Sequence, residues 1–590
     1  MDLHLIPGAA PAAAERAAVD IVLGPAESAR EGAERRTANE GHLATGGRAV
    51  RERRHLLLPA LQSVQARAGF ISPGALNYIC QRLTLPPAEA YGVASFYTLL
   101  STAPRPPLVA HVCDDIACRI GGAQELCADL ERRLGPAGKP AQDGEATWLK
   151  SSCLGQCERA PAVLFQPSGE GRRDRTLAPA SAALVMEALA DRAPAAGGAV
   201  SGTRPGGSAS APQTQGPARE GLRLLRRVGH VDPGSLDDYR AHGGYAALRR
   251  AFDLGPEGVI REVLDAKLVG RGGAAFPTGR KWEAVARAAV RPHYLVCNAD
   301  ESEPGTFKDR VLMEEDPFAV VEAMTVAGYA TGCERGWLYV RGEYPLAAAR
   351  LAGAIDKARA RGLLGDDVLG MGVRFDVELR RGAGAYICGE ETALFNSIEG
   401  LRGEPRNKPP FPTQAGLFGK PTLVNNVETL VNVLGIVEDG GPAFAAVGTP
   451  QSSGPKLFCL SGRVARPGVY EVPFGTTLRA IIALAGGVPG GRPIRAVLLG
   501  GSAGSFVTPE EIDVPLTFEG TRAIGAALGS GVVMVFDDTV DLADIVLRIA
   551  AFFADESCGQ CVPCRVGTER QEEAVRRLAR GEALGGVASE

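Results

Sequence analysis

Seven of the thirteen cysteines fall into two groups whose spacing suits metal chemistry. Cys113 and Cys118 are spaced C-x4-C, and Cys153 and Cys157 are spaced C-x3-C. Cys558, Cys561 and Cys564 read C-x2-C-x2-C. Four thiolates can hold a two-iron cluster or a structural zinc ion. Zinc hooks usually leave two intervening residues, because a short turn brings two sulfurs to one tetrahedral ion. The longer loops of the first group suit a [2Fe-2S] cluster, with zinc as the alternative. Cys80, Cys127, Cys297, Cys333, Cys388 and Cys459 are scattered and read as small buried hydrophobes. An odd cysteine count in a long chain without a signal peptide argues against a disulfide framework.

Other residues suit phosphate and nucleotide chemistry. Gly270-Arg271-Gly272-Gly273-Ala274-Ala275-Phe276-Pro277-Thr278-Gly279-Arg280-Lys281 is a glycine loop followed by basic residues. Glycines let backbone N–H groups approach phosphate oxygens, and Lys281 adds charge. A mobile turn is the alternative. The dinucleotide fingerprint is not met, since no strand directly precedes the loop with G-x-G-x-x-G spacing. GGSAGS at 500–505 reads as a strand-end turn. Asn298 to Asp309 (NADESEPGTFKD) carries four carboxylates and sits at a strand's C-terminal end, where open α/β sheets bind ligands. A solvated loop is the alternative there. Gly382 to Thr392 (GAGAYICGEET) is a second glycine-rich turn with paired acids, and Lys408-Pro409-Pro410-Phe411-Pro412 and Asn425-Asn426-Val427-Glu428-Thr429 follow.

Several domains must position these residues. At 590 residues, three or four domains of roughly 100–200 residues are expected. Residues 1–50 lack a clear period and read as a flexible N-terminal arm. The run Arg51-Glu52-Arg53-Arg54 reads as a solvated helix start, and residues 51–104 as a helical bundle. Residues 105–192 form a small α/β unit with the first four cysteines at its loop ends. Residues 193–219 hold almost nothing large and read as a flexible linker, as if two proteins had been fused. Residues 220–440 alternate helices and strands, with strands at YLVCNAD (294–300) and WLYVRGE (337–343). Residues 455–540 read as a small α+β domain opened by a hairpin, and 541–590 as helical around the last cysteines. The 64 basic and 68 acidic residues give a net charge of -4, which does not support nucleic-acid binding. No apolar run is long enough to span a membrane, and a cytoplasmic location is expected.

The motifs carry a resemblance. VCDDIAC, then SSCLGQCERAP, with GFISPGALNYICQRLTLPPAEAYGVASFYTLL before them, resemble the thioredoxin-like ferredoxin subunit of respiratory complex I over roughly 55–190. Residues 221–585 resemble the NADH-binding flavoprotein subunit of complex I, a type also found in NAD-linked formate dehydrogenases and NAD-reducing hydrogenases. The implied fold is multidomain α/β. It joins a helical bundle and thioredoxin-like [2Fe-2S] domain, a linker, an atypical Rossmann-like FMN/NADH-binding domain, a β-grasp-like α+β domain and a helical [4Fe-4S] segment.

The resemblance implies a [2Fe-2S] cluster on Cys113, Cys118, Cys153 and Cys157. It implies FMN bound by the 270–281 loop (Gly270, Arg271, Gly272, Gly273, Lys281), by Asn298, Asp300, Glu301, Tyr386, Gly389 and Glu390, and by Asn425 and Asn426. NAD(H) would stack over the flavin, with Phe276 and Phe411 at the adenine and Glu303, Glu391 and Lys408 lining the site. Aromatic faces can stack on a purine. The acidic residues would repel an extra phosphate, so NAD is expected over NADP. Ala275 departs from the family, which usually has glycine there. GluSerCysGlyGlnCysValProCysArg at 556–565 resembles a [4Fe-4S] motif whose fourth cysteine lies further on in the family. No cysteine follows Cys564 here, so truncation or another ligand is expected. Hydride would pass directly between NAD(H) and FMN with no acid–base residue. The implied partner is a molybdenum or tungsten subunit of formate dehydrogenase; a nickel–iron hydrogenase or complex I subunits are the alternatives. A reading of another class is a zinc-stabilised scaffold.

Overall fold

The computed structural model describes residues 3–26, 52–141, 143–190 and 221–582. The expected linker and most of the basic run's upstream flank lie outside the described residues. Residues 3–26 do not behave as the flexible arm expected of 1–50. They carry a helix, Ala13–Leu23, whose Ala18, Val19 and Leu23 are buried against the bundle. Asn77 pins the segment before it, donating to the Ile6 and Ala9 carbonyls and accepting from the Ile6 amide. The weak period hid an apolar face that only tertiary packing uses. Arg53 and Arg54 are likewise not a solvated start: Arg53 donates to the Leu23 carbonyl, and Arg54 reaches the Gly400 carbonyl and Glu89.

The bundle contains helices Leu57–Ala68, Pro73–Leu83 and Pro87–Ala94. Ser72 caps the second, accepting from the Ala75 amide, and Pro73 occupies a first-turn position where its missing N–H costs nothing. The next unit is a four-stranded sheet of β1 (Leu108–Cys113), β2 (Ala146–Ser151), β3 (Val163–Pro167) and β4 (Arg175–Leu177), ordered β2-β1-β3-β4. β1 and β2 are parallel, so Cys113 and the residues just before Cys153 leave the sheet at the same end.

The central sheet is parallel throughout. β5 (His293–Ala299), β6 (Cys333–Val340), β7 (Asp376–Arg381) and β8 (Thr422–Asn426) are ordered β7-β6-β5-β8. Order reverses at β5, between β6 and β8, which is where parallel sheets open a crevice beyond their carboxyl ends. The helix Pro317–Thr331 covers one face and is buried nearly all round, as its continuous apolar sequence requires. The third unit is a five-stranded sheet of β9 (Pro455–Gly462), β10 (Gly468–Pro473), β11 (Ile494–Leu499), β12 (Ser505–Val507) and β13 (Val532–Asp537), ordered β10-β9-β13-β11-β12. β9 and β13 are parallel and the other pairs antiparallel. Helices Leu542–Asp555 and Val562–Ala579 end the described chain.

The units share cores. Ile116, Ala117, Cys153 and Cys157 of the first sheet domain pack into the same apolar cluster as the central sheet and β9. The bundle shares a second cluster with Val296, Trp337 and Tyr339.

Candidate functional site

Beyond β5 and β8 lies a cavity of about 320 Å³, lined by Gly272, Asn298, Glu301, Ser302, Glu303, Thr306, Lys308, Asp309, Tyr386, Ile387, Gly389, Glu390, Asn426 and Ser530. The structure therefore gathers the glycine loop, the acidic motif, the second glycine turn and the Asn-Asn pair around one space. Asn298 donates to the Gly389 carbonyl at 2.8 Å and so ties β5 to the second glycine turn. Ser302 donates to Asp300 at 2.6 Å. Burial pushes the Asp300 carboxyl well above the usual carboxylate range. Glu301 accepts from the Asp309 and Arg310 amides at the start of helix Lys308–Glu315. Burial, and then the neighbouring Asp309 charge, push Glu301 up to about 8. Glu303 accepts from the Tyr386 hydroxyl at 2.6 Å and the Ala503 amide at 2.9 Å, and burial raises its pKa too.

Glu390 caps helix Glu391–Ile398, accepting from the Thr392 and Ala393 amides. Burial works against its charge, but bonds from Thr392, Lys408 and Ala393 outweigh it and leave the carboxyl below its ordinary value. Lys408 joins Glu390 and Glu391 at 3.0 and 2.8 Å. Lys281 lies 3.9 Å from Glu391 and 5.6 Å from the Phe276 ring centre. These residues form an outer rim and do not line the cavity itself, Glu390 excepted. Phe276 and Phe411 are 52% and 53% exposed, so both keep ring surface free for stacking. Gly270 and Gly273 shape the loop behind Gly272, the Gly270 amide closing it onto the Phe276 carbonyl.

Two expected ligands point elsewhere. Arg271 is fully buried, and its guanidinium donates to the Ser453 and Pro455 carbonyls over the Phe474 ring. It anchors the loop to the third unit. Asn425 accepts from the Trp282 indole at 2.9 Å inside the core. Only Asn426, on the opposite face of the strand, reaches the cavity, where it donates to Asp309. The sequence reading missed Ser302, Thr306, Lys308, Asp309, Ile387 and Ser530. All but Ser530 stand inside the motifs already singled out. Lys308 is wholly buried between Asp309 and Glu428. Ser530 comes from a turn of the third unit and meets the Thr306 hydroxyl at 2.8 Å. The 500–505 segment is a strand-end turn as expected, yet it also covers Glu303. Gly501 has φ +89°, and a β-carbon there would collide with the Glu303 side chain.

Cys113, Cys118, Cys153 and Cys157 are all buried. Cys113 meets Cys118 and Cys153, and Cys153 lies 3.4 Å from Cys157. The Gly155 amide points at the Cys153 sulfur. Four converging thiols with a backbone donor suit an anionic cluster. The central-sheet domain walls this pocket. Arg341 donates to the Cys153 and Glu301 carbonyls, and Arg310 to the Gly155 carbonyl and to Glu158. Gly155 has φ +65°, and a β-carbon would overlap the Tyr344 hydroxyl. Cys558 is half-buried, and Cys561 and Cys564 are exposed at the start of helix Val562–Ala579. Cys561 stands at the N-cap of that helix and Cys564 lies in its first turn, where the positive end of the helix dipole suits an anionic cluster.

Residues 263–435 match the Nuo51 FMN-binding domain, and 46–181 the thioredoxin-like [2Fe-2S] ferredoxin. Residues 544–586 match the iron–sulfur binding region of NADH-ubiquinone oxidoreductase F, and 457–502 the SLBB domain. The NADH-quinone oxidoreductase F subunit numbered 2 in Rhizobium meliloti (strain 1021) is 48% identical over 361 residues, covering 61% of this chain and 86% of that protein. The chain belongs to this F-subunit family. NADP-reducing hydrogenase subunit HndC of Solidesulfovibrio fructosivorans is 45% identical over 363 residues, 61% of this chain and 74% of its own. The solved NAD+-reducing [NiFe]-hydrogenase in its air-oxidised state superposes with a TM-score of 0.75 at 35% identity, covering 90% of this chain and 86% of that one. Family membership makes the chain an oxidoreductase with FMN, NAD(H), [2Fe-2S] and [4Fe-4S] as its cofactors. The zinc-scaffold reading falls with that assignment.

Proposed function

We propose that this chain is the NAD(H)-reacting electron-transfer subunit of a larger complex, of the formate dehydrogenase β type. The cavity at the β5 and β8 ends, with paired glutamates and lysines and the Phe276 ring outside it, carries the reading. Bound FMN supplies hydride exchange with NAD(H) and the change from paired to single electrons. The chain's residues bind, orient and exclude water. Gly272 lets backbone N–H groups approach the flavin nucleotide, while Asn298, Gly389 and Asn426 supply polar contacts. Tyr386 holds Glu303 in place at the cavity wall, where it would face the bound flavin and nucleotide. Phe276 and Phe411 offer rings to the adenine. Glu391 and Lys408, joined at 2.8 Å, would line the NAD(H) site. Cys113, Cys118, Cys153 and Cys157 would hold the [2Fe-2S] cluster, and Cys558, Cys561 and Cys564 would hold the [4Fe-4S] cluster. NAD is the preferred nucleotide of this reading, although the name of HndC refers to NADP. Comparing kcat/KM for NADH and NADPH with an artificial acceptor decides this; equal values refute the preference. Glu303→Gln should slow NADH turnover while iron content stays whole, and unchanged turnover removes its role.

No helix among the described residues is long and apolar enough to cross a membrane. We infer a cytoplasmic setting, where thiols stay reduced. A second reading is the diaphorase subunit of a hydrogenase, favoured by the 90% coverage against the NAD+-reducing [NiFe]-hydrogenase. Anaerobic isolation of the native complex, followed by metal analysis, separates the two. Molybdenum or tungsten beside iron supports formate dehydrogenase. Nickel sinks it in favour of hydrogenase. Neither metal moves the reading to a quinone-linked complex.

A further inference from the structure

The helix Leu542–Asp555 presents contacts at every fourth position, which places them on one face. Asp544 accepts from Arg119 at 2.7 Å, next to Cys118. Arg548 stands 3.7 Å from Asp115, the carboxylate that accepts from the Cys153 amide. The Phe552 ring meets the Tyr386 ring edge-on at 5.0 Å. Glu556, one residue past the helix, ends the series. One of its oxygens accepts from the Ser152 hydroxyl at 2.9 Å, and the other from the Tyr386 amide at 3.0 Å. Ser152 precedes Cys153, Tyr386 carries Glu303, and Glu556 itself stands two residues before Cys558.

A cavity of about 460 Å³ lies between these segments, lined by Ser152, Cys153, Tyr386, Phe552 and Glu556 among others. Close packing alone therefore does not set the spacing on the Tyr386 side of this junction. The Glu556 carboxylate contributes, beside Arg341 and Arg310, by joining the first cluster's loop to the Tyr386 side of the cavity. A glutamate suits this role, since it offers two acceptor oxygens to two donors from two different units.

We propose that Glu556 is a positioning residue that fixes Tyr386, and through it Glu303, relative to both cysteine motifs. The proposal rests on the flavin reading and adds a residue that touches neither flavin nor substrate. Glutamine can reproduce both bonds. Its carbonyl accepts from the Tyr386 amide, and its amide donates to the Ser152 hydroxyl, which can turn to accept. Alanine removes both and leaves the Tyr386 N–H unpaired.

The test uses the full chain, purified anaerobically with its clusters. It measures the FMN dissociation constant by flavin fluorescence, KM for NADH with ferricyanide, and iron content. Glu556→Ala should weaken FMN binding by about tenfold and raise KM, with iron unchanged. Glu556→Gln should recover most of both. Ser152→Ala should give a smaller shift of the same sign, and it serves if the alanine variant at 556 does not fold. FMN affinity and KM equal to wild type in Glu556→Ala overturn the proposal. So does a Glu556→Gln variant as weak as alanine, which would make charge the requirement. A wild-type chain that binds no FMN sinks the flavin reading itself.

Discussion

The two sulfur groups meet opposite surroundings. Cys113, Cys118, Cys153 and Cys157 are buried at a junction where Arg341, Arg310 and Tyr344 of the neighbouring domain press on the Cys153–Glu158 loop. Cys561 and Cys564 stand in the open, on a helix with no buried residue. Interdomain packing arranges the first set independently of metal. The second set is arranged by its own short turn and the helix it opens, with no domain enclosing Cys561 and Cys564, so a bound cluster must do the rest. The contrast separates a preorganised, enclosed centre from one whose geometry forms with the cluster.

Thiol labelling of the metal-free protein tests the contrast most strongly. Cys561 and Cys564 should react with iodoacetamide at rates close to those of free cysteine. The first four thiols need an opening that costs much of the folding free energy, so their labelling should be slower on the order of 10³-fold. Peptide mass mapping over time reads both rates. Comparable rates would show that the enclosed pocket forms only with its cluster.

Arg310→Ala should destabilise by about 3–5 kcal/mol, because it strands the Glu158 and Glu314 carboxylates inside the junction. Arg565→Ala, on the open side, should stay within about 0.5 kcal/mol; that side chain is exposed and donates to the Gly559 carbonyl. Urea midpoints compare them. Similar losses would erase the distinction between the two regions.

Titration sharpens it further. Glu301 borders the enclosed junction through Tyr344 and Arg341, and its folded pKa is pushed up to about 8. A carboxyl raised on folding binds its proton more tightly in the folded state. Its contribution is full below the ordinary carboxylate pKa and is lost as pH rises through about 8. Stability should therefore fall between about pH 5 and 8, and Glu301→Gln should flatten that fall. An identical slope in the variant would assign the titration elsewhere.

What could be read in the sequence was what chain spacing fixes. C-x4-C and C-x3-C each bring two sulfurs to one loop end, and an apolar run ending in Asn-Ala-Asp marks a strand that delivers polar residues. Side-chain direction was not legible. Asn425 and Asn426 are neighbours on one strand, and the pleat sends one to Trp282 and the other to the cavity. Arg271 looked like a phosphate ligand because of its glycine neighbours, but its partners are carbonyls nearly two hundred positions away in sequence. Ser530 had no local signal, since its place in the cavity depends on how the third unit docks. The Ala13–Leu23 helix was hidden because its partners lie beyond residue 56.

The smallest predicted effect belongs to the open rim of the flavin site. Ala275 has φ +52°, a left-handed conformation that costs an alanine about 1 kcal/mol and a glycine nothing. Glycine gives back part of that gain through its larger freedom when unfolded. Ala275→Gly should stabilise by about 0.5 kcal/mol, seen as a small rise in Tm, with FMN affinity unchanged. Gly273, two residues earlier at φ +117°, supplies the opposite control, since Gly273→Ala should destabilise the same loop. A loss in Ala275→Gly would mean that the methyl group packs usefully in the loop. The rim would then be more tightly built than its exposure suggests, and closer in character to the buried junction.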